Sequence, residues 1–302
     1  AHALSTPMET SDTPRRIRRL EFRTRRAVNE FAPGAYRSLF RGQGMEFAEV
    51  REFQTGDDAR IIDWRATARL GHPVVKRFVE ERELTLMLLV DGSASCRCGH
   101  TRERLLELAA VFAFSALRNH DRVGAMLFAS QPEVVLPPGQ GRHQGHRLLR
   151  ELLTHEPAGN GTDLGAALTA AQRGARRGTV FVLLSDFLDQ GFDAALWRVA
   201  LRHDVVAVRV HSPGGHAPPP GLLISLADAE SADTAMVETT ADRATLFQAV
   251  AQRGERIDQR LRAGGSEVLA IGEHDDPVPR LARFLARRRH ARTEPRLRGR
   301  RR

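Results

Sequence analysis

Three oxygen-bearing side chains follow an apolar run at 84–90 within a span of five residues. Asp91, Ser93 and Ser95 form the pattern Asp-x-Ser-x-Ser. A turn after a strand ordinarily requires one polar residue or a glycine, so this density of oxygens predicts a further role. A carboxylate and two hydroxyls at alternate positions are ligands that a hard divalent cation accepts. The spacing therefore indicates a cation site at the end of a strand.

Two later segments carry oxygens of the same kind. Thr162 and Asp163 lie in the glycine-rich segment GNGTDLGAAL, and Asp186 follows the apolar segment FVLLS. If these segments end at one edge of a parallel sheet, they form a site with two carboxylates and three hydroxyls. The residues predicted to form the metal site are Asp91, Ser93, Ser95, Thr162 and Asp186. This ligand set favours Mg²⁺, with Mn²⁺ or Ca²⁺ as alternatives, and leaves a coordination position open for a carboxylate of another molecule.

Helix capping is the competing interpretation of these residues. Asp, Ser and Thr side chains accept hydrogen bonds from the free N–H groups of a first helical turn. Ser95 or Thr101 could cap the helix after the first strand, and Thr162 or Asp163 could cap the next one. Capping alone explains any single residue of the set. All of them together at facing strand ends favour the metal site.

The elements that must position this site alternate between strands and helices from residue 83 onwards. Predicted strands cover 84–90, 123–128, 133–136, 179–185, 205–210 and 266–271, and predicted helices cover 101–119, 143–154, 163–174, 189–201, 242–262 and 277–290. Nearly all-apolar strands separated by helices favour an α/β fold with a doubly wound, mostly parallel sheet covered on both faces. In the strand order 3-2-1-4-5-6, the strands that end at Asp91 and Asp186 flank the point where the order reverses.

The residues before and after this domain are predicted to form an accessory region and two tails. Residues 1–14 are expected to be a disordered tail, and 15–82 an N-terminal accessory region that begins with an amphipathic helix at 15–31. The α/β domain is assigned to 83–290, and 291–302 to a basic, disordered tail.

Three features of the sequence indicate the cellular location of the protein. The chain of 302 residues contains no run of 18 apolar residues, so no membrane span is expected. It shows no apolar segment of the kind found in secretory signals. Its two cysteines, Cys96 and Cys98, are too close for an ordinary loop-closing disulfide and are interpreted as incidental loop residues. These features favour a cytoplasmic protein.

The positive charge lies at the two ends of the sequence, and it suggests a different function. Residues 15–26 contain seven Arg and one Glu, and 280–302 contain eleven Arg and one Glu. Arginine clusters of this kind could bind nucleic acid or an anionic membrane surface without sequence preference. No aromatic residue follows Phe284 to stack on bases, so solvated helix ends are the simpler interpretation and no specific nucleic acid is expected.

A metal-dependent hydrolase is the enzymatic alternative. Ser93 could act as a nucleophile with Asp186 as its partner, or the metal could activate water. The chain has no Gly-x-Ser-x-Gly elbow at Ser93 and no P-loop pattern. His100, His203 and His211 are not placed near the site by sequence. A non-enzymatic protein is therefore expected.

The metal-site pattern resembles a known one. Asp-x-Ser-x-Ser after a first strand, Gly-Thr-Asp-Leu before a helix and Ser-Asp after a fourth strand are similar to the metal-ion-dependent adhesion site of von Willebrand factor A domains. The resemblance implies that Asp91, Ser93, Ser95 and Thr162 face the metal. It implies that Asp186 is the second carboxylate, often acting through water.

A longer resemblance covers almost the whole chain. The segment at 36–84, YRSLFRGQGMEFAEVREFQTGDDARIIDWRATARLGHPVVKRFVEEREL, is similar to the signature of the domain-of-unknown-function family 58, a bacterial family that joins this segment to a von Willebrand A-like domain. The matching positions are Gly42, Gly44, Glu46, Arg51, Gly56, Asp57, Arg60, Asp63, Trp64 and Arg69. The chain departs from the family at Cys96-Arg97-Cys98, where members often carry a methionine, and in HSPGG after the strand at 205–210.

The family resemblance implies a partner and a role. Members are typically encoded beside MoxR-type AAA+ ATPases and are thought to act with them as adaptors or chaperone-like factors in protein maturation or assembly. An acidic residue of that partner is expected to contact the metal. Within the signature, the acids and arginines around Trp64 could form a docking face. A turn leading into a capped helix, with Ile61, Ile62 and Trp64 packed beneath it, is preferred.

Overall fold

The computed structural model describes residues 13–30, 49–54, 62–77, 83–97, 100–159, 161–211, 223–227, 234–238, 243–272 and 274–293. The chain divides into two compact units, one of 1–40 with 84–302 and one of 41–83. The described elements, in chain order, are α1 (Thr13–Glu30), β1 (Glu49–Glu52), α2 (Trp64–Leu70), β2 (Val74–Arg77), β3 (Thr85–Asp91), α3 (Ala94–Arg97), α4 (Thr101–Arg118), β4 (Arg122–Phe128), β5 (Pro132–Gly139), α5 (Gly141–Thr154), α6 (Leu164–Gly174), β6 (Val180–Ser185), α7 (Asp193–Ala200), β7 (Asp204–His211), β8 (Leu223–Ala227), β9 (Thr234–Glu238), α8 (Arg243–Ala263), β10 (Glu267–Gly272) and α9 (Pro277–Thr293).

A six-stranded sheet forms the centre of the larger unit, in the order β10-β7-β6-β3-β4-β5. Its strands pair in parallel except for β5, which runs antiparallel to β4. Numbered within this sheet, the strands follow the order 3-2-1-4-5-6, which is the order under which the two acids were expected to meet. The predicted doubly wound α/β fold is therefore confirmed. Strands β3 and β6 lie side by side, so the chain segments that follow them leave the sheet at one edge.

Both faces of the sheet are covered because its central strands are apolar on both sides. Every residue of β6 is buried, as is every residue of β3 after Thr85. One core contains side chains from α4, α5 and α9, and the other contains side chains from α6, α7 and α8. Burial on both faces explains why these strands have a continuous hydrophobic sequence, which is typical of a parallel sheet.

Helix α1 is grouped with the larger unit, whereas the sequence analysis placed it in an accessory region over 15–82. Ile17 and Leu20 pack against the core that contains α4 and α5. Arg23 pairs with Glu107 of α4 at 3.3 Å. The second compact unit begins only at residue 41. The amphipathic pattern predicted the helix correctly, but a pattern does not state which surface its apolar side covers. Residues 1–12 and 294–302 of the two predicted tails lie outside the described part.

The smaller unit contains the described part of the signature segment. Strands β1 and β2 pair antiparallel, with Arg51 opposite Val75. Asp63 caps α2 through its side chain, which accepts hydrogen bonds from the backbone N–H groups of Arg65 and Ala66. The helix ends at Gly71, whose φ of 76° is the left-handed conformation common at helix ends. The predicted capped helix is confirmed.

One other prediction for the signature segment is wrong, and several of its residues lie outside the described part of the chain. Trp64 is 69% exposed, so its predicted packing beneath the helix is wrong. It is the first residue of α2, a short helix without a buried residue, and Arg69 is also exposed. Gly42, Gly44, Glu46, Gly56, Asp57, Arg60 and Ile61 lie outside the described residues.

The basic C-terminal helix α9 is not simply a solvated surface. Leu281 and Phe284 are buried in the core, and the Arg288 side chain is 1% exposed. Arg288 pairs with Asp204 at the start of β7 and with Glu267 at the start of β10. The expectation of solvated arginines is therefore wrong for this residue. Within the part of the chain that the structure describes, no helix combines the length and apolar character that a membrane-spanning helix needs.

Candidate metal centre

Asp91 is the last residue of β3 and the most deeply placed carboxylate of the candidate site. It is 2% exposed. Its Oδ1 accepts a hydrogen bond from the backbone N–H of Ser93 at 2.9 Å. Its Oδ2 accepts one from the hydroxyl of Ser185 at 2.6 Å. Both oxygens are therefore held in fixed directions at the carboxyl end of the strand.

Ser185 links the two central strands at this edge. It is the last residue of β6, and its hydroxyl donates to Asp91 while accepting from the backbone N–H of Phe187 at 2.9 Å. A chain of hydrogen bonds thus runs from the turn after β6 to the carboxylate at the end of β3. Ser185 was not among the site residues predicted from the sequence. Its place directly before Asp186 at the end of an apolar strand was the available signal.

Ser93 and Ser95 turn their hydroxyls toward each other. The two oxygens are 3.1 Å apart. Ser93 is fully buried, whereas Ser95, within the single turn α3, is half-buried. The alternate spacing read from the sequence therefore places the two hydroxyls side by side. No side-chain capping bond to α4 comes from its N-cap residue, His100.

The loop that carries Thr162 is fastened to the end of β4. The backbone N–H of Gly92 donates to the carbonyl of Phe128 at 2.8 Å, and that of Asp163 donates to Ala129 at 2.9 Å. The segment after Asp91 and the segment before α6 are therefore hydrogen-bonded to neighbouring residues at the end of β4. Asp163 caps α6 by accepting from Ala166 at 2.7 Å. The capping interpretation is confirmed for Asp163, and half-buried Thr162 lies directly before it.

Gly92 has no room for a side chain. A Cβ at this position would lie 2.6 Å from Cγ of Pro157, a buried residue of the loop between α5 and α6. Close approach of the two loops therefore requires glycine between Asp91 and Ser93. This requirement explains the Asp-Gly-Ser order at the start of the motif.

The carboxylate of Glu133, in β5, holds the same loop through hydrogen bonds. Glu133 accepts hydrogen bonds from the backbone N–H groups of Ala158 and Gly159, at 3.1 and 3.2 Å, and pairs with Nε2 of His155 at 2.6 Å. Burial raises the pKa of Glu133, but the hydrogen bonds from His155, Gly159 and Ala158 outweigh burial and lower this pKa below its usual value. Glu133 therefore acts as a buried anion that orders the loop leading to Thr162.

Asp186 follows Ser185 in a tight turn. Its Oδ1 accepts from the backbone N–H of Leu188 at 3.1 Å. The next residue, Phe187, has a φ of 56°, a left-handed conformation that is uncommon outside glycine, and its ring is fully buried. Asp186 itself is half-buried, and Leu188 beside it is 39% exposed. This carboxylate thus lies at the boundary between the buried site and the surface.

The electrostatics of the site are those of negative groups brought together out of water. Burial, and after it the charge of Asp186, raise the pKa of Asp91 to about 6, although the hydrogen bonds from Ser185 and Ser93 oppose this rise. Burial also raises the pKa of the Cys96 thiol well above its usual value, and the charges of Asp91 and Asp186 add to this effect. A bound cation would relieve this repulsion.

The donor set fits a divalent ion. One ligand atom from each of Asp91, Cys96 and Asp186 lies within 4.8 Å of the other two. The Ser93 and Ser95 hydroxyls supply neutral oxygens to the same region, since Ser93 hydrogen-bonds with Asp91 through its backbone. The structure therefore brings Asp91, Asp186 and the two serines together. Thr162 is placed at the same sheet edge by its loop, and ligation by all of these residues stays a prediction.

Cys96 is the member of this group that the sequence analysis misjudged. Treated there as an incidental loop residue, it is 1% exposed, and its sulfur lies beside both carboxylates. Its neighbour Cys98 lies outside the described residues. The signal that could have identified Cys96 is its position one residue after the last serine of the motif, in a turn that leads back toward the core.

Asp189 is a further acid at this edge that the sequence analysis did not select. Its Oδ2 accepts from the backbone N–H of Leu164, the first residue of α6, at 2.9 Å. Burial raises the pKa of Asp189 above its usual value, and the hydrogen bonds from Leu164 and Gln190 oppose this effect. Asp189 thereby ties the turn after β6 to the helix that follows Thr162.

Comparisons with known proteins identify relatives of the whole chain. A family described as "Protein of unknown function DUF58" matches residues 49–256. Proteins of Mycobacterium bovis and Mycobacterium tuberculosis, both described as uncharacterized, are 32% identical over 283 residues, which are 90% of this chain and 89% of each relative.

Solved structures with a similar chain path have low sequence identity. The conserved hypothetical protein BatB from Bacteroides thetaiotaomicron is 15% identical, with 68% of this chain and 98% of that chain covered and a TM-score of 0.47. A von Willebrand factor type A structure from Catenulispora acidiphila is 13% identical, with 72% of this chain and 43% of that chain covered and a TM-score of 0.43.

Proposed function

The chain belongs to the DUF58 family, and from this membership we propose that it is a metal-dependent protein-interaction module. The observation that carries the proposal is the convergence of Asp91, Asp186 and the Ser93–Ser95 hydroxyl pair at the carboxyl ends of β3 and β6. Ligands of doubly wound sheets bind at this edge, where the strand order reverses. Two adjacent carboxylates, one of them buried, favour a cation there.

The proposed metal ligands are Asp91, Ser93, Ser95 and Thr162, with Asp186 as the second carboxylate. Their oxygens are those that Mg²⁺ prefers, with Mn²⁺ and Ca²⁺ as alternatives. When bound, the ion supplies a positive charge and a coordination position for a carboxylate of the partner. If Asp186 acts through water, Asp91 is the one directly bound carboxylate, so part of the ion's positive charge would remain for the carboxylate of the partner.

The protein's own residues orient the site toward a partner. The Ser185 hydroxyl and the backbone N–H of Ser93 hold the carboxylate of Asp91 through hydrogen bonds. Asp186 is half-buried, and the exposed apolar side chain of Leu188 lies two residues beyond it. An incoming acidic residue would therefore meet an apolar neighbour beside the charged centre, an arrangement typical of protein interfaces.

The burial of Ser93 argues against the hydrolase alternative. Ser93 is fully buried, and its hydroxyl lies against that of Ser95. A serine nucleophile needs an exposed hydroxyl and an adjacent base. The ring of His203 instead packs edge-on against Phe181, near the opposite end of β6, at 5.1 Å. The proposed role is accordingly non-catalytic.

Ion pairs within the fold reduce the case for nucleic-acid binding through the arginine-rich ends. Arg288 is buried between Asp204 and Glu267. Arg23 of α1 pairs with Glu107. Arginines committed to carboxylates of the same chain contribute less to phosphate binding, since the carboxylate competes for them. The observations favour the metal-dependent interaction.

The proposed partner is a MoxR-type AAA+ ATPase that contacts the metal through an acidic residue. The family resemblance supports this choice, and the acid-accepting position of the site is consistent with it. In this role the chain would act as an adaptor or chaperone-like factor in protein maturation or assembly. The partner would be retained only while the metal is bound.

Binding of the purified MoxR-type ATPase from the same genome tests this proposal. Immobilised wild-type protein is expected to retain the ATPase in Mg²⁺ and to lose about tenfold or more in affinity in EDTA. Thr162→Val, which removes one proposed ligand at nearly constant volume, is expected to weaken binding similarly. Asp163→Asn is the matched control, because asparagine also caps a helix. Equal retention in Mg²⁺, in EDTA and by Thr162→Val would contradict the proposal.

A further inference from the structure

Cys96 places a sulfur where the proposed metal site otherwise offers only oxygen. Its Sγ and one oxygen from each of Asp91 and Asp186 lie within 4.8 Å of one another. The side chain is 1% exposed, so solvent does not separate these groups. A hydrogen bond from the backbone of Asp186 and one with Ser93 also reach this thiol. The sulfur is therefore in contact with the candidate ligand set.

We infer that Cys96 is a metal ligand of this site and determines which ion the site prefers. The inference rests on the proposed function, because it concerns the same cation site. With the sulfur included, the site is a mixed oxygen–sulfur centre that binds a thiophilic ion such as Zn²⁺ or Co²⁺ more tightly than Mg²⁺. Without it, the remaining oxygens favour Mg²⁺.

The distances allow one ion to reach all three groups after a small adjustment. Zn²⁺ lies about 2.3 Å from a thiolate sulfur and about 2.0–2.2 Å from a carboxylate oxygen. Ligands arranged tetrahedrally around one such ion are therefore about 3.5 Å apart. The three groups lie within 4.8 Å of one another, so an approach of about 1 Å lets them share an ion. Because hydrogen bonds hold both oxygens of Asp91, the Cys96 and Asp186 side chains would make this adjustment.

The charges support the same assignment. Two carboxylates lie beside the buried thiol, and a cation bound among the three groups would balance their negative charge. As the sulfur–metal bond forms, the thiol proton passes to solvent. Zn²⁺ and Co²⁺ bind thiolate strongly, whereas Mg²⁺ favours hard oxygen ligands and keeps much of its water. Cys96 therefore discriminates between two classes of ion at one position.

Titration with Co²⁺ of the full-length protein, stripped of metal by a chelator, tests the inference through a spectrum. Wild type is expected to develop a near-ultraviolet band for charge transfer from thiolate to cobalt. Cys96→Ser is expected to lose this band and to bind Co²⁺ about 100-fold more weakly, since loss of a ligand exceeds the effect of an outer-sphere partner. Its affinity for Mg²⁺, measured by calorimetry, is expected to change by less than about threefold.

Two further variants keep the result interpretable. Cys98→Ser, which removes the other thiol of the chain, is expected to retain the band. Cys96→Ala serves as a second test, because a serine hydroxyl in this buried position could disturb folding. Circular dichroism checks that each variant is folded.

The possible outcomes distinguish the inference from the function on which it rests. Co²⁺ binding without the band in wild type would overturn the role of Cys96 and leave the cation site standing. Loss of the band in Cys98→Ser rather than in Cys96→Ser would overturn the role of Cys96 as well. Failure of wild type to bind Co²⁺, Zn²⁺ or Mg²⁺ would overturn both the inference and the proposed function.

Discussion

Replacement of Asp91 by asparagine is expected to stabilise the metal-free protein at neutral and higher pH while removing a metal ligand. At these pH values the buried carboxylate is charged, although its surroundings disfavour the charge. Burial and, after it, the charge of Asp186 raise its pKa from 3.8 to about 6. Asparagine has nearly the same shape and no charge. One hydrogen bond weakens, since the amide cannot accept from both Ser93 and Ser185 as the carboxylate does.

The pH dependence of this effect has a definite sign. A carboxyl group whose pKa is higher in the folded state stabilises the fold below its unfolded pKa and loses that contribution as pH rises through its folded pKa. The shift from 3.8 to about 6 corresponds to on the order of 3 kcal/mol. After the weakened hydrogen bond is allowed for, Asp91→Asn is expected to be ~1–2 kcal/mol more stable than wild type at about pH 8.

Urea unfolding in EDTA at about pH 5 and pH 8 measures this difference, which is expected to grow by ~1.5 kcal/mol between the two conditions. Asp163→Asn is the matched control, because Asp163 is an exposed carboxylate at the same edge of the sheet. It is expected to show no such growth. An Asp91→Asn variant that is less stable than wild type at both pH values would show that the buried charge is not the source of strain.

Loss of the Arg288 side chain is expected to destabilise the protein strongly. Arg288→Met retains an apolar stem but leaves Asp204 without its cation, and the Asp204 side chain is only 20% exposed. Removal of one partner from a buried ion pair typically costs about 3–5 kcal/mol. Glu267, which is 42% exposed, can be hydrated instead. A loss of ~3 kcal/mol in the free energy of unfolding is therefore expected.

The urea midpoint of Arg288→Met, compared with that of Arg287→Met, isolates the buried pair. Arg287 is the exposed neighbour on the same helix, and its replacement is expected to change stability by less than about 0.5 kcal/mol. Adding Asp204→Asn to Arg288→Met is expected to restore part of the loss, because the charge that Arg288 balanced is removed. Equal midpoints for the two single variants would rule out a structural role for Arg288.

The arrangement of the sheet could be predicted because its strands have an unambiguous pattern. Apolar runs ending at Asp91 and Asp186, with helices between, predicted a parallel sheet, and the common doubly wound strand order then placed the two acids on neighbouring strands, as the structure does. The antiparallel strand β5 was predicted only as 133–136, whereas it spans Pro132–Gly139. Its prolines and half-exposed residues lack the continuous hydrophobic character of the inner strands.

The features that were missed depend on partners far away in sequence. Cys96 lies beside Asp186, a residue ninety positions later in the chain, because both residues follow neighbouring strands of the sheet. Arg288 is buried because Asp204 and Glu267 begin neighbouring strands. Local composition classed the first as incidental and the second as solvated, since neither pairing is visible in a short window.

Calorimetric titration of the metal-stripped protein tests the central claim most directly. Wild type is expected to bind one divalent ion per chain, and Asp91→Asn, folded and at least as stable without metal, is expected to bind none under the same conditions. Zn²⁺, Mn²⁺ and Mg²⁺ are compared so that the choice of ion does not decide the result. Absence of binding by wild type, or binding that Asp91→Asn leaves unchanged, would contradict a metal centre at the ends of β3 and β6.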